Sequence, residues 1–273
     1  TIKKHLSGID VVIEVLDARI PKTSRNFNIL KIIKTKPSIV VLAKKDLANV
    51  EETKAWLEVL KADKSLCYAA NLETGEGVKN IMSGISYFAL DIRKRMQARR
   101  RRSRPIRVMI VGIPNVGKSS LINRIARRKT ARTGARPGIT RGKQWIRVGR
   151  SIELLDMPGV LSPQIDTPSD IVKLASTGAL PEETYDNIQV AEDLLEILKS
   201  KTCHAIINRY KLNKIYDLSG HELLKVIGEK RGCLAAEGTI DISRAAIIVL
   251  SEFRKGYLGK VTLDSAEDSL EES

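Results

Sequence analysis

A glycine-rich segment, Gly112 to Ser119 (GIPNVGKS), has the pattern of a phosphate-binding loop. Its glycines allow consecutive backbone N–H groups to turn toward phosphate oxygens, and a helix that begins at Lys118 adds its positive end to the anion site. The Lys118 side chain would reach the β- and γ-phosphates, and the Ser119 hydroxyl would bind Mg²⁺. The residues predicted to contact nucleotide phosphates are Asn115, Val116, Gly117, Lys118, Ser119 and Ser120.

A second motif, Asp156-Met-Pro-Gly159, ends an apolar run downstream of the loop. We expect Asp156 to hold Mg²⁺ through water and the Gly159 amide to meet the γ-phosphate. Thr140 lies between the two motifs in the basic segment RPGIT, and we expect it to close on Mg²⁺ when a triphosphate is bound. The alternative for Thr140 is an ordinary loop threonine.

A base-recognition signal lies upstream of the phosphate loop, where the apolar run SIVVL is followed by Ala43-Lys-Lys-Asp46. A carboxylate at Asp46 accepts both N1–H and N2–H of guanine, a paired contact that adenine does not offer. The Lys44 stem would lie over the base, while Ala43 stands where an asparagine is usual and cannot supply the side-chain hydrogen bonds of an amide. A surface Lys-Lys-Asp is common, and only its position after a strand makes it informative. The predicted base-binding residues are Lys44, Lys45, Asp46 and the backbone amides of Asn71 and Leu72.

These motifs together favour GTP and GDP as ligands, with Mg²⁺ as the metal. The predicted catalytic residues are Lys118, Thr140 and Gly159. Val160 follows Gly159 at the position where many GTPases carry a glutamine that orients the attacking water, so intrinsic hydrolysis should be slow.

The elements that must position these motifs follow an α/β pattern, because short Val- and Ile-rich runs alternate with longer amphipathic stretches. We predict a mostly parallel sheet with helices on both faces. The predicted strands are 10–17, 38–44, 65–70, 106–112 and 151–156, with 143–148 as an edge strand, and the predicted helices are 51–60, 78–102 and 118–128.

After about Leu180 the strand signal fades, and 182–200, 219–229 and 241–254 have helical spacing. We therefore predict a GTPase domain over 1–180, a smaller all-helical domain over 181–264, and a disordered acidic tail over 265–273. The base-binding residues precede the phosphate loop along the chain, which indicates a circular permutation. The same strands can keep their sheet positions while the chain ends move.

The chain resembles the circularly permuted GTPases of the YlqF/RbgA family, bacterial large-subunit ribosome assembly factors with organellar relatives. The segments that carry the resemblance are Asp17–Pro21 (DARIP), Lys44–Asp46, Gly112–Arg124, Arg136–Trp145, Leu154–Val160, Ile227–Cys233 and Phe253–Leu263. The resemblance implies an RNA-contacting helical domain, a pre-ribosomal substrate and activation of hydrolysis by the ribosome. Asn115 matches a residue that helps related GTPases bind K⁺, although satisfying loop amides is an equal alternative. The family's N-terminal Trp-x-Pro-Gly-His segment would lie before the first residue of this sequence, and His5 does not match it.

The charge of the chain is strongly positive, with 47 Lys and Arg against 32 Asp and Glu, a formal net charge of +15. It predicts a polyanionic partner, and the scarcity of aromatic residues favours phosphate contacts over base stacking. Nine basic residues and no acid lie in 93–107, where Arg99 to Arg102 would cover every side of a helix. We predict that this run faces rRNA on a large-subunit precursor, and that the protein is a monomer in the bacterial cytoplasm or in an organellar matrix or stroma.

Other functions stay open from the sequence. Ala43 and Val160 motivate an RNA-binding, ribosome-associated protein with a weak or vestigial nucleotide site. A membrane-surface GTPase is disfavoured because the sequence shows no amphipathic anchor, and an ATPase is disfavoured by Asp46. We expect no DNA partner and, since Cys203 and His204 lack metal-site spacing, no zinc site.

Overall fold

The computed structural model describes residues 6–33, 35–61, 65–100, 104–130, 144–156, 162–235 and 238–267. Its strands are β1 (Val11–Asp17), β2 (Ser38–Ala43), β3 (Leu66–Ala70), β4 (Ile106–Val111), β5 (Gln144–Val148) and β6 (Ile152–Asp156). They form a six-stranded sheet in the order β3-β2-β1-β4-β6-β5. Every neighbouring pair is parallel except β5 with β6, so β5 is the edge strand that the sequence predicts.

Four helices cover the sheet: α1 (Phe27–Ile33), α2 (Val50–Lys61), α3 (Val78–Ala98) and α4 (Lys118–Thr130). Strand β1 is buried along its whole length, and its side chains alternate between the two faces. Val11, Ile13 and Val15 share a core with α3 and α4. Val12 packs with α1, and Leu16 packs with α2. The predicted sheet with helices on both faces is confirmed.

The functional motifs meet because parallel strands end at the same edge of a sheet. Asp17 at the end of β1 lies opposite Ala43 at the end of β2, and Ala43 lies opposite Ala70 at the end of β3. On the other side of β1, Ile110 of β4 lies opposite Asp156 of β6. The permuted chain therefore brings its upstream base-recognition motif to the edge that carries the phosphate loop.

The second half of the chain is helical and contains α5 (Pro168–Thr177), a short 3-10 turn (Glu182–Thr184), α6 (Asn187–Tyr210), α7 (Gly220–Lys230) and α8 (Ile242–Arg254). The last two helices begin one residue after their predicted starts, because Ser219 and Asp241 are their N-caps. Helix α6 begins later and extends further than 182–200, while α5 is additional. The buried residues of these helices belong to the same continuous core as one face of the sheet.

The end of the chain corrects the prediction of a disordered tail from residue 265. After α8 the chain returns to the sheet, where Val261 N–H donates to Leu47 O at 3.1 Å and Leu263 N–H donates to Arg19 O at 2.7 Å. Ala266 is 3% exposed and packs with Leu16. The prediction of disorder is thus wrong for residues 265–267, because Ala266 packs in the core beside Leu16 and its backbone N–H donates to Glu52 of α2. Residues 268–273 lie outside the described residues.

The basic run at 93–107 also differs from the prediction. Helix α3 ends at Ala98, and Arg100 adopts a left-handed conformation with φ 52°, so Arg99 and Arg100 do not continue the helix. Arg101 and Arg102 lie outside the described residues. The run also finds acids elsewhere in the fold: Arg104 pairs with Asp10 at 2.7 Å, and Arg107 pairs with Glu153 at 3.3 Å. Only the tertiary fold brings these acids near.

Two further properties concern the described ranges alone. No helix in them has both the length and the apolar composition that a membrane crossing requires. In the same ranges, no three His, Cys, Asp or Glu side chains are grouped so that they would hold a metal ion, and no disulfide joins Cys67, Cys203 or Cys233.

Candidate nucleotide-binding site

The phosphate loop joins β4 to α4 and has the backbone that its sequence requires. Gly112 (φ 150°) and Gly117 (φ 113°) both adopt positive φ values. A Cβ atom at Gly112 would lie 2.4 Å from Val15 O, so a side chain there would collide with the neighbouring strand. Val116 is 1% exposed in the core and therefore offers only its main chain to a ligand. Buried contacts with β1 and with the core thus fix the loop, and its backbone faces the edge of the sheet.

Lys118 lies across the phosphate loop. Its Nζ donates to Ile113 O at 2.7 Å, and the residue is 9% exposed. Ser119 and Ser120 follow in the first turn of α4 and are exposed. An ammonium group and a hydroxyl at a helix N-terminus form the donor set that a bound phosphate and its metal require.

The base-recognition loops lie close beside the phosphate loop. A Cβ atom at Gly117 would lie 3.1 Å from Leu72 Cδ1 and 3.6 Å from Ala43 Cβ. Ala43 is fully buried at the end of β2, and the Leu72 side chain is 7% exposed. The segments that the sequence assigns to the base and to the phosphates therefore pack beside each other.

The remaining base-side residues take different positions. Asn71 shapes its own loop, because its Oδ1 accepts from the N–H groups of Glu73 (2.9 Å) and Thr74 (3.1 Å). Its backbone N–H donates to Glu76 O, so the Leu72 amide is the better candidate for the guanine oxygen. Lys45 pairs with Glu76 at 2.5 Å. Within the described ranges, no protein group donates a hydrogen bond to the Asp46 carboxylate, which leaves it open to a ligand.

Asp17, Arg19 and Lys44 form a buried charged cluster beside the base-recognition loops. The sequence alone assigns no chemistry to the Asp17-Ala-Arg19 segment. Asp17 accepts from Arg19 Nε at 2.9 Å, from Arg19 Nη2 at 2.7 Å and from Lys44 Nζ at 2.9 Å. Burial opposes ionisation of Asp17, but Arg19 and Lys44 outweigh it and hold the pKa of the carboxyl well below its usual range. Burial is also the largest cause acting on Lys44 and lowers its pKa, with Asp17 opposing the shift.

Asn115 connects the phosphate loop to the helical half of the chain. It has φ 58°, and its Nδ2 donates to Gly178 O at 2.6 Å. Gly178 is the C-cap of α5, whose last carbonyls also accept from Arg254: Ala175 O at 3.0 Å and Ser176 O at 3.3 Å. A cavity of about 560 Å³ lies between these groups, with Arg19 and Lys44 on its wall. The nucleotide side of the sheet therefore borders the helices directly.

Thr140, Asp156 and Gly159 are three further residues predicted to bind Mg²⁺ or to meet the γ-phosphate. Thr140 and Gly159 lie outside the described residues, as does Val160. Asp156 ends β6, next to the strand that carries the phosphate loop. An aspartate at the end of β6 and the exposed Ser119 in the first turn of α4 are the residue types that fit Mg²⁺, because this ion prefers hard oxygen donors.

Comparisons with known proteins agree on one family. Residues 107–231 match the family described as 50S ribosome-binding GTPase. Ribosome biogenesis GTPase A of Bacillus cereus is 40% identical over 267 residues, which cover 98% of this chain and 90% of that protein. Mitochondrial ribosome-associated GTPase 1 of Xenopus tropicalis is 33% identical over 96% of this chain and 89% of its own length. The GDP-bound structure of YlqF from T. maritima superposes with a TM-score of 0.70 at 27% identity, over 98% of this chain and 99% of that one.

Proposed function

The chain belongs to the ribosome biogenesis GTPase A family, and on that premise we propose that it binds GTP and GDP at the edge of the sheet and acts on precursors of the large ribosomal subunit. It is a GTPase of ribosome assembly. The observation that carries the site assignment is the close approach of Leu72 and Ala43 to Gly117, where an added Cβ atom would meet both, since it places base recognition beside the phosphate loop. Lys118, Ser119 and Ser120 would hold the phosphates, Asp46 and the Leu72 amide the guanine, and Mg²⁺ would be held by Ser119, Asp156 and Thr140.

A titration with fluorescently labelled GDP and ADP, with and without Mg²⁺, tests this assignment. We expect selective GDP binding, because the Asp46 carboxylate pairs with two N–H groups that only guanine offers. A preference for ADP would overturn the role of Asp46. Absence of binding to either nucleotide would support an RNA-binding protein with a vestigial site.

Hydrolysis by the isolated protein should be slow. Val160 follows the Gly159 motif and has no group that orients water, so the pre-ribosomal particle must complete the catalytic arrangement. Single-turnover GTP hydrolysis, measured with and without large-subunit precursors, tests this step. We expect a clear acceleration by the precursor, and equal rates would contradict it.

We propose K⁺ as a further cofactor, held by Asn115. The side chain lies at the tip of the phosphate loop, exposed and already ordered by Gly178. Turnover should be higher in KCl than in NaCl at the same ionic strength, and Asn115→Ala should abolish the difference. Equal rates of the wild-type protein in both salts would exclude Asn115 from the reaction.

Nucleotide state would reach the helical half through α5. This helix follows the Gly159 motif, and its C-terminus contacts both the phosphate loop and Arg254 of α8. GTP should therefore promote binding to the precursor and hydrolysis should promote release. Sedimentation with precursor particles in GTP, GDP or a non-hydrolysable analogue tests the coupling, and equal binding in all three would contradict it.

We propose rRNA, not DNA or a membrane surface, as the polyanion that the positive charge attracts, and a monomer as the active form. Lys94, Arg99 and Arg100 are exposed at the end of α3. A second basic surface lies where α6, α7 and α8 end, and it surrounds Tyr257, which is 52% exposed and stacked with Arg209 at 4.6 Å. The exposed basic residues there are Lys211, Lys230, Arg231, Lys255 and Lys260. Bacterial and mitochondrial relatives support a bacterial cytoplasm or an organellar matrix as the location.

A further inference from the structure

The Asp17-Ala-Arg19 segment has a defined place in the fold but no role in the nucleotide chemistry proposed above. Asp17 ends β1 directly beside the end of β2, and Asp17 and Arg19 are each 1% exposed. A fully buried ion pair is costly to desolvate and contributes little net stability, so its presence beside a ligand site calls for another explanation.

All donors around the Asp17 carboxylate come from the protein itself. Oδ1 accepts from the backbone N–H of Arg19 at 3.0 Å and from its Nε, while Oδ2 accepts from its Nη2 and from Lys44 Nζ. With these four hydrogen bonds made, Asp17 is not placed to act as a ligand of the base or as a general base. Its effect on a nucleotide must pass through Lys44.

Lys44 needs such support because its backbone is unusual. It adopts φ 58°, a left-handed conformation that a non-glycine residue rarely takes, at the point where β2 turns toward Asp46. Its ammonium is fixed by Asp17 at 2.9 Å. This contact sets the direction of the methylene stem.

We infer that Asp17 is a positioning residue for guanine binding: it holds Lys44 so that the stem lies flat against the purine, and Arg19 fixes Asp17 in turn. The inference rests on the proposed function of this site. Arg19 itself is anchored by the helical half, because its guanidinium lies 5.4 Å from the Phe253 ring centroid and its carbonyl accepts from Leu263. The geometry of the base site therefore depends on residues that follow it by more than two hundred positions.

A double-mutant cycle on GDP affinity tests the inference. We expect Asp17→Asn and Lys44→Met each to raise the Kd for labelled GDP by about tenfold, and the double variant to raise it by no more than either alone. An increase in the double variant equal to the product of the two single increases, about a hundredfold, would overturn the inference.

The control variant is Glu14→Gln, which removes a buried carboxylate of the same strand that pairs with Arg25. It should leave the Kd for GDP unchanged, and a loss of affinity equal to that of Asp17→Asn would show a merely structural effect and overturn the inference. If Asp17→Asn does not fold by circular dichroism, Asp17→Glu replaces it, with a smaller effect that should vanish in the Lys44→Met background. Failure of the wild-type protein to bind GDP would instead refute the proposed function.

Discussion

Ala43 is the position where the guanine site departs from the usual pattern, and its surroundings explain what an asparagine there would do. The residue is fully buried, and its Cβ faces Gly117 of the phosphate loop. An asparagine amide at this position would reach the backbone of the loop and tie it to the base side. The alanine leaves that connection to apolar packing alone.

Ala43→Asn should tighten GDP binding about three- to tenfold, as expected for one added hydrogen bond worth about 1 kcal/mol. The measurement is the Kd for labelled GDP at fixed Mg²⁺. Ala43→Leu, whose side chain has the branched shape of asparagine but no amide, is the matched control and should weaken binding by crowding Gly117. Equal effects of the two variants would mean that size alone acts at position 43.

The ionised Asp17 makes stability depend on pH in a defined direction. Because the folded state holds the pKa of Asp17 below its unfolded value of about 4, its contribution is complete above about pH 5 and is lost as the pH falls through the folded pKa. The difference in unfolding free energy between the wild-type protein and Asp17→Asn should be constant from about pH 5 to 7 and shrink in more acidic solution. Urea unfolding at several pH values measures it, and a difference that grows on acidification would contradict the assignment.

The phosphate loop could be predicted from the sequence because its residues are contiguous and its chemistry is local. The Asp17–Lys44 contact could not, since 27 positions separate the two residues and only the register of β1 against β2 brings them together. The pairing of Arg104 with Asp10 and of Arg107 with Glu153 could not be predicted for the same reason. Pairing across strands is a property of the fold that no local pattern records.

At the scale of elements, α5 carries a local start signal that hydrophobic periodicity does not detect. Thr167 accepts from Asp170 N–H and Asp170 accepts from Thr167 N–H, a capping box, with Pro168 in the first turn. The segment TPSD therefore predicts a helix start on its own. The C-terminal segment 261–266 has no such signal, because its backbone partners, among them Arg19, Leu47 and Glu52, lie more than two hundred positions earlier in the chain.

Asp264 is the main polar anchor of that C-terminal segment. Its carboxylate is buried and accepts from Thr23 Oγ1 at 2.8 Å, from Thr23 N–H at 2.9 Å and from Lys173 Nζ at 2.9 Å. Asp264→Asn should lower the free energy of unfolding by about 3 kcal/mol, because it leaves a largely buried lysine without its partner. Urea unfolding tests this, with Glu58→Gln, an exposed partner of Lys61, as a control expected within about 0.5 kcal/mol of wild type. Equal stabilities would show that the segment is held by apolar packing alone.

At the scale of the whole molecule, the permutation places the helical half immediately after the motif that would meet the γ-phosphate. In this order α5 is both the end of the nucleotide half and the first helix of the second half, and the two share one core. The predicted boundary at residue 180 follows the change of secondary structure, not a break in packing. A signal from the phosphate loop therefore needs no flexible linker to reach α8.

The net charge of +15 divides into paired and exposed parts, and only the exposed part should dock the protein on RNA. Binding to large-subunit precursors should weaken steeply with salt, because each neutralised phosphate releases counterions. Replacing Arg99 and Arg100 together by glutamine should reduce the slope of log Kd against log salt by about one for each RNA phosphate that the variant no longer neutralises. Lys61→Gln on α2, whose ammonium already pairs with Glu58, is the matched control and should keep the wild-type slope. An unchanged slope in the double variant would mean that the protein docks on RNA through the basic residues near Tyr257 and not through the end of α3.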